Sequence, residues 1–237
     1  FYMNEQKKVK KKILFTAIVL FVIQAFAGIP TPGVNIDYFK ALLEQNTTAG
    51  LFNVLSGNGL SNLSVTMLSI TPYITASIIL QLLTIAIPRL EEMQKDGEDG
   101  RKKINEYTRY LSIALAVIEG AAIVIGFRNQ GLFGTDNPQS SMTTAIVVAV
   151  AALTAGAAFM MWLGEQITEK GVGNGISIIL LINIVARIPN DLSNLYQNYV
   201  AKPTDVTSKI IAAVIILAII VAMFVFIVFL QDGERRI

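Results

Sequence analysis

An all-α membrane protein, a polytopic helical bundle, is the fold class this sequence predicts, and three observations carry the prediction. Hydrophobic residues fill 53% of the 237 positions and charged residues 15%, with a mean hydropathy of +0.57; soluble domains carry roughly a quarter charged residues. The apolar residues gather into runs close to the ~20 residues that cross ~30 Å of hydrocarbon. Lys and Arg are distributed unevenly between alternate segments, which is the bias that marks cytoplasmic loops.

Cysteine and histidine are both absent. That removes disulfides, thiol nucleophiles and the commonest transition-metal ligand, so no catalytic residue, metal or cofactor is expected. The net charge of +2 is small, and the placement of the charges is more informative than their sum. Residue 1 is Phe and the last residues are "GERRI", directly after an apolar run, so a fragment of a longer chain is expected.

The runs cover residues 13–30, 65–88, 110–127, 142–163, 176–189 and 210–230. With the N-terminus inside, the inner segments hold Lys7, Lys8, Lys10, Lys11, Lys12, Arg89, Lys95, Arg101, Lys102, Lys103, Arg109, Lys170, Arg235 and Arg236. The outer segments hold only Lys40, Arg128, Arg187, Lys202 and Lys209, which supports six spans with both ends cytoplasmic. The first run, with "KKVKKK" before it and "AFAG" at its end, imitates a signal peptide.

Between the first two runs lies "GLFNVLSGNGLSNLS", residues 50–64, too short and polar to cross and too apolar for an ordinary loop. Counting it as a span would reverse every later loop and expel the basic "DGRKKINEYTR". It is therefore expected to be re-entrant from the outer side or to lie at the outer surface.

In the second run Ile70, Ile74, Ser77 and Gln81 share one helical face, and Thr71 and Thr75 share another. Pro72 is expected to kink or loosen the helix. The plain reading is a buried helix with back-bonded hydroxyls; the sharper one is a helix lining a polar passage. Glu119, well inside the third run, is either a packed carboxyl group beside Gly120 or a proton site. The fifth run is short and bounded by "GVGNG" and "ARIP", the pattern of an interrupted span beside a cavity. Ile176, Leu180, Asn183 and Arg187 align along it, which suggests an aqueous cavity opening outward. The runs "EEMQKDGEDGRKK" and "GEQITEKGVGNG" read as solvated turns without a phosphate-loop context.

The stretches "ITPYITASIILQLL", "DGEDGRKKINEYTRY", "MWLGEQITEKGVGNGISIILL" and "GERRI", in that order, resemble the bacterial SecY family, the channel subunits of the Sec protein translocon. The resemblance covers essentially the whole chain. It implies one half of an inverted-repeat protein-conducting channel: residues 1–189 as the N-terminal half, 190–208 as an external hinge and 209–237 as the sixth span and the start of the next cytoplasmic loop.

It further implies that residues 50–64 form a short re-entrant plug helix. Leu51, Phe52, Val54, Leu55 and Leu60 would dock on the constriction, while Gly57 and Gly59 weaken the helix by ~1 kcal/mol each and ease release. Ile70, Ile74, Ile176 and Leu180 match the apolar pore ring, which blocks ions by dewetting; Leu180 stands where many relatives are expected to have Ile. Thr71, Thr75, Ser77 and Gln81 would line a lateral gate. Arg101, Lys102, Lys103, Arg235 and Arg236 would dock the cytoplasmic partner, a SecA motor ATPase or a ribosome.

Other implied partners are SecE-like and SecG-like small membrane subunits, signal sequences and nascent polypeptides, membrane lipid, and the C-terminal half of the same protein. The implied location is the bacterial cytoplasmic (inner) membrane. The alternative class is an inverted-repeat secondary transporter with Glu119 as proton carrier. Aliphatic residues at the midplane argue against it, because they seal and coordinate nothing.

Overall fold

The computed structural model describes residues 2–36, 56, 59–60, 62–128, 132–133, 139–186, 188–189, 193, 197 and 206–233. Among the described residues the helices are α1 Tyr2–Ala27, α2 Thr71–Ala86, α3 Pro88–Lys95, α4 Glu98–Arg128, α5 Gln139–Lys170, α6 Gly175–Val185 and α7 Val206–Gly233. Among the described residues there is no strand, and the only β pairing is an isolated antiparallel bridge between Pro30 and Ser64. The chain divides into two units, residues 1–186 and 187–237.

In the first unit α5 is the central element, packed against α4, α6 and α1, while α2 packs on α4. Small residues make this possible. A Cβ at Gly156 of α5 would collide with the carbonyl of Val65, and one at Gly175 of α6 with the carbonyl of Gly164. Backbone thus meets backbone at two levels of α5, where larger residues would force the chains apart. The second unit carries α7, whose described side chains are all exposed and mostly apolar.

All six apolar runs carry a helix, with changed boundaries. The second run does not begin as helix, because residues 65–70 form turns in which Ser69 takes a left-handed φ of 51°. Pro72 does not kink α2; it sits in the first turn, where its missing N–H costs nothing, and helps to start the helix. At the other end Ile87 is extended, as a residue before proline prefers to be, and Pro88 starts α3. The axes of α2 and α3 differ by 103°.

By length and composition α4 and residues Met142–Lys170 of α5 can each cross a membrane, and the bent pair α2–α3 makes a third candidate. α6 has only 11 residues, about 16 Å of helix, roughly half of a hydrocarbon core. The two stretches read as solvated turns are largely helical: the first forms α3 and the start of α4, the second the end of α5 and a cap. That cap is Asn174, whose side-chain oxygen accepts from the N–H groups of Ile176 at 3.0 Å and Ser177 at 3.4 Å.

Candidate functional site

The residues matched to a pore ring come together. Ile70, at the N-cap of α2, is wholly buried in an apolar cluster with Val19 and Ile23 of α1, Met160, Leu163 and Ile167 of α5, and Ile179 of α6. Ile74, Ile176 and Leu180 pack on the same cluster and keep part of their surface. A Cβ on Gly164 would lie 3.2 Å from Ile70 Cδ1 and 3.3 Å from Ile179 Cδ1, so α2 and α6 converge over a bare patch of α5. Ile179 and the α5 residues escaped the sequence reading. The signal was there in the spacing of 160, 163 and 167 along one helical stripe.

Immediately beside this cluster lies a buried polar one. Asn183 of α6, 2% exposed, donates from Nδ2 to Ser69 Oγ at 3.1 Å, and its Oδ1 accepts from Gln24 Nε2 of α1 at 3.4 Å. The outward aqueous cavity inferred from Asn183 is therefore corrected. A buried amide needs partners, and two neighbouring segments supply them in place of water. Arg187, its companion in that inference, lies outside the described residues.

Of the plug candidates, Leu51, Phe52, Val54 and Leu55 lie outside the described residues. Leu60 is described, and it packs on a second cluster containing Leu63, Met67, Leu68, Val124 and Leu153, not on the cluster holding Ile70. Its described neighbours, Ser56, Gly59, Asn62 and Leu63, are in turns, not helix. They are tied down by main-chain bonds, from Thr31 N–H to Leu63 O at 2.7 Å and from Val65 N–H to Ile29 O at 3.0 Å. Gly59 is buried in this tight turn, where an added Cβ would lie 3.0 Å from Ser56 O and Ser64 Oγ and 3.1 Å from Met67 Cα.

The gate candidates Thr71, Thr75 and Ser77 are half-buried and Gln81 is exposed, with Gln81 Nε2 donating to Ser77 Oγ at 3.3 Å. Arg101, Lys102 and Lys103 are exposed near the start of α4, where Lys102 meets Asp99 at 3.6 Å; Arg235 and Arg236 lie outside the described residues. Glu119 is half-buried. An ion pair between helices also escaped the sequence reading: Arg109 Nε of α4 donates to Glu165 Oε1 of α5 at 2.6 Å. The two lie 56 positions apart, beyond the reach of any local pattern. Among the described residues no group of acidic side chains could hold a metal ion.

The SecY family model matches residues 64–237. The chain is 43% identical over 229 residues to the protein translocase subunit SecY of Pseudomonas aeruginosa, a match covering 95% of this chain and 49% of that protein. It is 42% identical to the SecY subunit of Bacillus licheniformis, covering 98% and 53%, and 41% identical to that of Escherichia coli K12, covering 97% and 51%. The chain spans about half the length of these relatives. Two solved structures, "Sec61 in the Canine ribosome-channel complex from the endoplasmic reticulum" and "The structure of a protein conducting channel", each align with a TM-score of 0.53 at 18% identity, over 82% of this chain and 39% of theirs.

Proposed function

The chain belongs to the SecY family, and on that premise we propose that it forms one half of a channel that passes unfolded secretory polypeptides across a membrane and releases transmembrane segments sideways into lipid. The observation that carries the reading is the convergence of Ile70, Ile74, Ile176 and Leu180 on one apolar cluster. Aliphatic side chains offer water no hydrogen bonds, so a neck lined by them excludes ions when empty and deforms around a chain of any sequence. Ile74, Ile176 and Leu180, with surface to spare, line the neck; Ile70 backs them.

Residues 50–64 serve as the plug segment, whose described turns around Gly59 and Leu63 are anchored by main-chain bonds. Thr71, Thr75, Ser77 and Gln81 line the gate toward lipid. Arg101, Lys102 and Lys103 offer positive charge to a SecA-like motor or a ribosome, and SecE-like and SecG-like subunits brace the complex in a bacterial cytoplasmic membrane. No bond is made or broken by the chain itself, and the motor or the ribosome supplies the work. The transporter alternative gains no support, since Glu119 has no second acid near it in sequence and the relatives are named as translocase subunits.

The test uses the full-length protein, reconstituted in vesicles with its small subunits and a motor ATPase. A secretory precursor becomes protected from added protease on ATP addition. Absence of protection, with the complex folded and the motor active, refutes the proposal.

A further inference from the structure

Resting on that reading, we propose that Asn183 is a positioning residue whose hydrogen bond to Ser69 latches α6 to the turn carrying Ile70 and holds the apolar neck in its narrow state. Three observations converge on this bond. Asn183 and Ser69 are both buried, at 2% and 1% exposure, so neither finds water as a substitute partner. Ser69 holds a left-handed φ of 51°, a conformation that costs a non-glycine residue energy and persists only where its surroundings impose it. The bond sits one residue before Ile70 and on the same helix as Ile176 and Leu180, so it joins the two sides of the cluster.

Widening the neck means moving the α2 side of that cluster away from the α6 side. Aliphatic contacts yield gradually to such a movement because they have no direction. A buried hydrogen bond does not, since it is either made or lost, and its loss costs free energy until water or the main chain of a passing polypeptide replaces Ser69. The latch therefore ties widening to the arrival of hydrogen-bonding groups. It discriminates between a neck that merely fluctuates and one that is occupied.

The experiment compares Asn183→Leu, Ser69→Ala and the double variant in the full-length channel, at matched folded abundance. Three quantities are read: substrate-free ion current, export of a reporter with a weakened signal relative to one with an intact signal, and crosslinking between Ile74→Cys and Leu180→Cys in a stretch that has no cysteine of its own. Each single variant should raise the current and the weak-to-intact export ratio about fivefold, the usual worth of one net hydrogen bond, and lower the crosslink yield. The double variant should do no more than either single one. Should Asn183→Leu fail to fold, Ser69→Ala, which leaves the Gln24 bond in place, carries the test. Unchanged values in the folded single variants, or effects that add in the double variant, overturn the latch. A channel that exports nothing even when unaltered refutes the function proposed above instead, and the crosslink yield still reports on the latch.

Discussion

Two apolar clusters of similar composition lie side by side in residues 1–186 and are built in opposite ways. The outer one, around Leu63, Met67, Leu68, Val124 and Leu153, is closed by main-chain hydrogen bonds and by the contact of Val65 with Gly156. The central one, around Ile70, Ile179 and Met160, is joined through side chains: aliphatic contacts and the Gln24–Asn183–Ser69 bonds. Main-chain groups deprived of partners inside a bilayer cost several kcal/mol each, so the outer cluster has no cheap alternative arrangement. Side-chain contacts can be exchanged for others. The two clusters thus differ in the type of bond that closes them, not in hydrophobicity.

The largest break in this contrast should come from Gly156→Val, which wedges a branched side chain against the Val65 carbonyl. A loss of about 3 kcal/mol or more is expected, read as failure to accumulate or as early unfolding in detergent. Unaltered stability would mean the outer cluster is not rigid.

Deletions sharpen the boundary between the two regimes. Removing residues 51–55 should give a channel that still exports but leaks ions and accepts defective signals, as expected if the apolar part of a plug is lost and the turn from Ser56 onward is kept. Extending the deletion through Ser64 removes Leu63 and its bond to Thr31, and should abolish folding. Equal behaviour of the two deletions, by current and export assay, would erase the distinction.

Within the central cluster, Ile70→Asn and Ile74→Asn should differ in kind. Ile70 is wholly buried, so a polar replacement should cost about 3 kcal/mol of stability. Ile74 is only part-buried, so Ile74→Asn should cost about 1 kcal/mol while raising substrate-free conductance in single-channel recordings. The smallest effect is expected at Glu119→Gln, with export unchanged across about pH 6–8. A pH-dependent collapse of export or of solute uptake would revive the transporter alternative.

The helices were legible in the sequence because apolar runs report directly on what lipid requires, and the meeting of Ile70, Ile74, Ile176 and Leu180 in one cluster was legible through spacing and family resemblance. The corners were not. Residues 65–70 are as apolar as the helix that follows, and the left-handed Ser69 leaves no mark in composition. Asn183 was misread because its partners lie 114 and 159 positions away. A polar residue in an apolar run says only that a partner exists, and either water or another helix satisfies it. The Gly156–Val65 approach was equally hidden, since one glycine among the small residues of α5 looks like any other.

The right-angled corner between α2 and α3 has a mechanical consequence. α3 is an arm of 8 residues, about 12 Å long, set at 103° to the axis of α2. Its free end is braced, because Gly100 at the start of α4 is seated against the Met93 carbonyl with no space for a side chain. A body pressing on this arm applies torque to α2 as a crank does to a shaft, and the brace passes part of the load to α4. The charged residues Arg89, Glu91, Glu92 and Lys95 lie on this arm, so a load taken up by them bears on the helix that carries Ile74.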